Sequence, residues 1–94
     1  MSKVTLRGHI VVSPVDLIPV KDALPVHIFL TLKEEGCLVF RVIQDSEDQH
    51  VFNVYEEFIN REAFEYHQQR VRASQWGDVT KSVERHYEII EEDA

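Results

Sequence analysis

Val54-Tyr-Glu-Glu-Phe-Ile-Asn-Arg-Glu-Ala-Phe-Glu-Tyr-His67 reads as a strand that stops, a cap, and a helix that begins. Val54, Glu56 and Phe58 alternate, so all three point to one face of a strand. Asn60 suits the cap, because its side chain accepts from the first free amides of a helix. Ala63, Phe64, His67 and Val71 then recur at helical spacing. An acid, an aromatic and a histidine thus fall on two adjoining elements.

Working outward, Cys37 to Gln44 is a second strand. Leu38, Phe40 and Val42 are expected on one face; Cys37, Val39, Arg41 and Ile43 on the other. Asp45 to Gln49 is a polar connector of hairpin length, and His50 to Phe58 completes the pair. Upstream, Lys3 to Val12 alternates as a strand, with Val4, Leu6, Ile10 and Val12 on one side and Thr5, Arg7, His9 and Val11 on the other. Gly8 inside it signals a bulge or a close approach of backbone or ligand. Asp16 is a helix cap, followed by Leu17, Val20, Leu24, Ile28 and Leu32 at helical spacing. Pro19 is tolerated in the first turn, whereas Pro25 is expected to kink or split the helix. Gly36 is the expected C-cap. Downstream, the second helix runs from Arg61 to about Thr80. The polar stretch Gln69 to Ala73 and Gly77 mark where it can break. Val83 to Ile90 is a fourth strand, and Glu91-Glu-Asp-Ala94 an acidic tail expected to fray.

The order is βαββαβ, the ferredoxin-like arrangement of an α+β fold. It predicts a four-stranded antiparallel sheet with two helices on one face. Strands two and three also carry apolar residues on their other face, such as Val39, Val51 and Tyr55. A large apolar patch is rarely left in water, so a homodimer packed sheet on sheet is expected.

The 94 residues fit one small domain, 1–94, with 44% apolar and 29% charged residues, a globular balance. A net charge of −7 argues against nucleic-acid or anionic-membrane surfaces, which need clustered Lys and Arg. The lone cysteine, Cys37, cannot form an internal disulfide, and no apolar run nears ~18 residues. No signal-peptide pattern is visible, and a cytoplasmic protein is expected. The five histidines show no HxH or HxxxH spacing, so no metal is expected, and neither a dinucleotide fingerprint nor a P-loop occurs.

Glu34-Glu-Gly-Cys-Leu-Val-Phe-Arg-Val42, Phe52-Asn-Val-Tyr-Glu-Glu-Phe58 and Ala63-Phe-Glu-Tyr-His67 together resemble the antibiotic biosynthesis monooxygenase family. Arg70-Val-Arg-Ala-Ser-Gln-Trp-Gly77 and Arg85-His-Tyr-Glu-Ile89 are similar to its quinol monooxygenase branch. The resemblance covers nearly the whole chain. It implies a dimeric α+β barrel with a pocket between helices and sheet in each subunit. It also implies oxidation of quinols or anthrones by O2 without flavin, haem or metal. Relatives include haem-degrading enzymes and an enzyme that processes a signalling metabolite without oxygen, so the family does not fix one reaction. In the haem-degrading relatives a histidine late on the second helix holds the iron. Here Arg72-Ala-Ser-Gln-Trp76 has none, which counts against haem degradation.

His67 and Glu56 are the catalytic candidates. Neutral imidazole titrates near working pH, and a carboxylate on an apolar strand face has a raised pKa unless paired. The competing readings are a hydrogen-bonded core histidine and a structural ion pair of Glu56 with Arg85 or Arg41. The short turn between strand and helix folds His67 back toward Glu56. His67 is then base or oxyanion donor, and Glu56 orients it or a substrate hydroxyl. His9, Phe40, Trp76 and Tyr87 are the substrate-binding candidates, the aromatics as walls that core packing also explains. His86 and Tyr87 point to opposite faces, so one pocket takes only one of them. Cys37 reads as an inert thiol. Nothing on the first helix, Thr31 included, reads as catalytic.

The expected function is a cofactor-independent monooxygenase for a small aromatic or quinol-like substrate. Deprotonation makes such a substrate electron-rich enough for O2, while the protein supplies a base, an apolar cavity and oxyanion donors. The alternative is an isomerase or binding protein for a small, phosphorylated metabolite. That reading needs converging cations, for which Arg7, Arg41 and Arg85 are the candidates.

Overall fold

The computed structural model describes residues 2–93. Its elements are β1 (Ser2–Val11), α1 (Leu17–Leu32), β2 (Cys37–Gln44), β3 (Val51–Phe58), α2 (Arg61–Arg72), α3 (Gln75–Val79) and β4 (Glu84–Asp93). The strands form one antiparallel sheet in the order β2-β3-β1-β4. This is the ferredoxin-like α+β fold that the alternation predicts.

Cross-strand rows fix the two faces. On the helix-covered face, Phe40, Glu56, Leu6 and Ile89 lie in one row. Val42, Val54, Gly8 and Tyr87 form the next, and Gln44, Phe52, Ile10 and Arg85 the third. Val4, Leu6, Ile10, Phe52 and Phe58 are essentially inaccessible. Burying each such side chain contributes roughly 1.5–3 kcal/mol. The open face carries Arg41, Tyr55, Arg7 and Glu88 in one row and Ile43, Asn53, His9 and His86 in another.

Gly8 is placed by a close approach: its φ is +149°, and a Cβ there would lie 1.9 Å from the His86 carbonyl oxygen. A bulge occurs instead in β2, between Cys37 and Val39. It reverses the expected alternation, so Cys37 pairs with Phe58 and packs on the core while Leu38 is 52% exposed.

α1 runs unbroken through Pro25, which does not split it. Pro25 lies on the exposed side, where the carbonyl it cannot bond is within reach of water. Asp16 occupies the cap position, but its carboxylate accepts from Ser13 Oγ rather than from helix amides. The buried stripe is Val20, Ala23, His27 and Thr31, and Leu32 faces outward. The helix ends at Lys33, so Gly36 serves not as its cap but as the point where Ala63 of α2 packs closest.

Asn60 caps α2 as expected: its Oδ1 accepts from Ala63 N–H at 2.8 Å. The predicted break falls at Ala73–Ser74. Ser74 Oγ donates to the Val71 carbonyl at 2.7 Å and accepts from Gly77 N–H at 3.2 Å, which starts α3 in a new direction. Gly77 permits the fold-back, since a Cβ would meet the Val71 carbonyl at 2.1 Å. Residues Glu91 to Asp93 are not frayed but extend β4 against Val4, Lys3 and Ser2, with Arg61 bonded to Glu91. Ala94 lies outside the described residues.

Candidate active site

Four segments deliver one largely buried polar cluster. α1 contributes His27 and Thr31, the turn after it Glu34, β3 contributes Glu56, and α2 His67 and Arg70. α3 then lays Trp76 over His27, with ring centroids 4.7 Å apart and planes 3° from parallel. Capping by Asn60 sets the helical phase that turns His67 inward, and Phe58 and Phe40 hold its ring at 5.0 and 5.6 Å.

Glu34 Oε2 accepts from His67 Nδ1 at 2.9 Å and from Arg70 Nε at 2.7 Å. Arg70 also donates to Thr31 Oγ1 at 2.8 Å. A carboxylate partner places the imidazole proton on Nδ1, which leaves the Nε2 lone pair free. Nε2 faces Glu56 Oε1 at 3.8 Å, beyond hydrogen-bond length, and this buried oxygen has no other partner among the described residues.

Burial governs the charges. It pushes Glu56 up to about 8, with the nearby Glu34 adding to the effect. Glu56 is therefore mostly protonated at neutral pH. Burial draws His67 below its ordinary value, against the pull of Glu34, and Arg70 draws it lower. Burial, with His67 and Arg70 nearby, brings His27 down to about 3. Among the described residues the buried His27 Nδ1 has no partner. At neutral pH the cluster thus offers two uncharged imidazoles beside an uncharged carboxylic acid.

Glu56, His67, His27 and Trp76 line a cavity of about 570 Å³, with Leu6, Ile10 and Val71 as apolar wall and Tyr87 at its β4 side. That volume suits a small organic molecule. Burial raises the Tyr87 phenol to about 12, so it stays a neutral donor.

Of the residues expected at the site, His67, Glu56, Trp76 and Tyr87 come together around this cavity. Phe40 stands behind it, edge-on to His27 and His67, as packing rather than lining. His9 is corrected: it lies on the open face of the sheet, stacked on His86 at 4.7 Å, because odd positions of β1 point away from the helices. The pairing of Glu56 with Arg85 or Arg41 does not occur, since Arg41 is on the open face and Arg85 bonds the Thr80 and Val83 carbonyls. His27 and Glu34 are the residues sequence reasoning missed. The only sequence signal for His27 is its place at i+3 and i+4 from Leu24 and Ala23. Among the described residues, no three His, Cys, Asp or Glu side chains are grouped to hold a metal ion. Burial raises the Cys37 thiol to about 11, and it stays unreactive. No helix among the described residues is long and apolar enough to cross a membrane.

The sequence profile described as antibiotic biosynthesis monooxygenase matches residues 25–78. Among solved structures, a conserved protein of Bacteroides thetaiotaomicron described as a possible oxidoreductase is 24% identical, with a TM-score of 0.80 over 96% of this chain and 97% of its own. A candidate antibiotic biosynthesis monooxygenase from Nitrosomonas europaea is 17% identical, with a TM-score of 0.75 over 100% and 98%. SnoaB, a cofactor-independent oxygenase from Streptomyces nogalater, is 6% identical, with a TM-score of 0.78 over 96% and 92%. At such identities these likenesses speak for the fold. No curated protein matches the sequence. The profile spans more than half of the chain and contains His27, Glu34, Glu56, His67, Arg70 and Trp76; the chain belongs to the antibiotic biosynthesis monooxygenase family.

Proposed function

We propose that this protein is a monooxygenase that needs no cofactor and acts on a small phenolic or quinol-like aromatic. The observation that carries the reading is the bare Nε2 of His67 beside the protonated, unpartnered Glu56 on the wall of an aromatic-lined cavity. A substrate hydroxyl between them gives its proton to Nε2, and Glu34 steadies the imidazolium that forms. Glu56 donates to the resulting oxyanion. The electron-rich anion then reacts with O2 directly. For a substrate with an activated CH2 the balance closes without a reductant: CH2 and O2 become C=O and H2O.

A second reading is favoured by the cations Arg72, Lys81 and Arg85 around the cavity. The same acid–base pair would then isomerise a small anionic metabolite, or the cavity would merely bind it. We also infer a homodimer through the open sheet face and a cytoplasmic setting, which suits an unreactive single thiol.

Oxygen uptake by the purified protein against hydroquinones, anthrones and hydroxyketone phosphates tests the reading. Uptake with a product one oxygen heavier and two hydrogens lighter supports it. Equal turnover without oxygen overturns it in favour of the isomerase.

A further inference from the structure

The chain carries a net charge of −7, yet the cavity wall has the opposite balance. Arg72 at the end of α2, Lys81 after α3 and Arg85 on β4 line it. Glu56 is its one carboxylate, and burial keeps that group largely protonated at neutral pH. Outside the cavity four of the seven cations are neutralised: Lys3 pairs with Glu57, Arg7 with Glu88, Arg61 with Glu91 and Arg70 with Glu34, while Lys21, Lys33 and Arg41 stand apart from one another on other surfaces. Among the described residues none of the three cavity cations has a carboxylate within ion-pair distance. Asp78 and Glu84 are near in sequence but do not line the cavity, and Glu84 bonds His86 at 2.7 Å.

Arg85 is also braced. Its Nη2 donates to the Thr80 carbonyl at 2.8 Å and its Nη1 to the Val83 carbonyl at 3.3 Å. A guanidinium has five N–H donors, so donors remain for a ligand after these bonds. A braced cation needs little ordering when it binds. Three unneutralised cations from three elements around one concave site focus potential on anions.

We propose that the ligand of this cavity carries a carboxylate or phosphate, held at the mouth by Arg72, Lys81 and Arg85. The group to be deprotonated then points inward to His67 and Glu56. This rests on the cavity being the active site, but not on whether oxygen is used.

The test is binding by calorimetry under argon, with three probes that share one ring: 1,4-hydroquinone, 2,5-dihydroxybenzoate and 4-hydroxyphenyl phosphate. One or both anionic probes are expected to bind at least about tenfold more tightly than hydroquinone, the worth of one charge-assisted contact. That advantage should shrink as salt rises. Lys81→Gln and Arg72→Gln should each remove much of it and leave hydroquinone binding unchanged, and Arg85→Gln should also remove much of it. Because Arg85 also braces two carbonyls, the exposed pair Arg72 and Lys81 keeps the test open if Arg85→Gln misfolds. Equal affinity for all three probes, or an advantage that survives in the Arg72→Gln/Lys81→Gln double variant, overturns the proposal. Tight anionic binding together with turnover of an anionic substrate that needs no oxygen would sustain it while sinking the oxygenase. Oxygen uptake with neutral substrates alone would do the reverse.

Discussion

Glu56 and Glu57 are neighbours on β3, yet they face opposite sides of the sheet and behave as different acids. Glu57 looks to the open face, where Tyr55 donates to it and Lys3 sits 3.3 Å away, and these contacts hold its carboxyl below the usual value. Glu56 looks into the cavity wall, has an unpartnered oxygen, and is pushed up to about 8. The histidines repeat the contrast. His9 and His86 stack on the open face, whereas His27 and His67 are sealed beneath the helices. Residue type sets what a group can do; the face it occupies decides whether water or the protein sets its proton affinity.

The largest expected effect separates the two histidine pairs. His67→Gln should lower turnover on a verified substrate by ~10²–10⁴-fold, the usual loss for a positioned acid–base group. The fold should survive, because Arg70 still pairs with Glu34. His9→Gln should leave turnover unchanged. Steady-state kinetics with circular dichroism as a folding control decides, and equal losses at both positions would erase the contrast.

The open face should matter for assembly instead. Tyr55→Asp puts a second charge next to Glu57 and should dissociate the inferred dimer or unfold it. Sedimentation at micromolar concentration reads this directly; a monodisperse monomer for the unaltered protein would remove the dimer from the account.

pH dependence sharpens the comparison between the two acids. The folded state keeps the Glu56 proton up to about 8, whereas an unfolded chain releases it near 4.5. Stability should be unaffected by Glu56 below pH 4.5, fall as pH rises from 4.5 to 8, and level off above. The drop is at most on the order of 5 kcal/mol. Glu56→Gln should flatten this limb in denaturant titrations and lower turnover. His27 acts in the other direction. The folded state refuses its proton down to about pH 3 while the unfolded chain takes one near 6.5, so stability is lost as pH falls between these values. His27→Gln should reduce that acid loss. The smallest effect is expected at Glu57→Gln, within about 1 kcal/mol at any pH, as for other partly exposed pairs.

Much of this was legible in the chain because it rests on local rules. The Asn60 cap and the alternation through Phe58 are enough to put Glu56 and His67 on converging faces. Alternation along β1 likewise set Thr5, Arg7 and His9 on the face opposite Leu6 and Ile10. The signal that His9 faces away from the pocket is therefore present in the chain itself, in its alternation with Ile10. Other features depend on distant partners. α1 is apolar nearly all round, so the stripe through Leu24 and Leu32 looked as good as the true one through Ala23, His27 and Thr31. Glu34 lies in a turn, where no periodicity announces an inward side chain. The bulge at Leu38 breaks period two without a Gly or Pro to mark it. The acidic end of β4 is ordered by Ser2 and Lys3, which are nearly the whole chain away.

Trp76 is the chain's single tryptophan, and it lies on the cavity wall flat against His27. Its fluorescence therefore reports one place, with no other indole to dilute the signal. A protonated imidazole quenches a stacked indole, but His27 remains neutral down to about pH 3. Below about pH 7, where Glu56 also keeps its proton, the emission is then a gauge of whether the cavity is empty or filled, built in without a label.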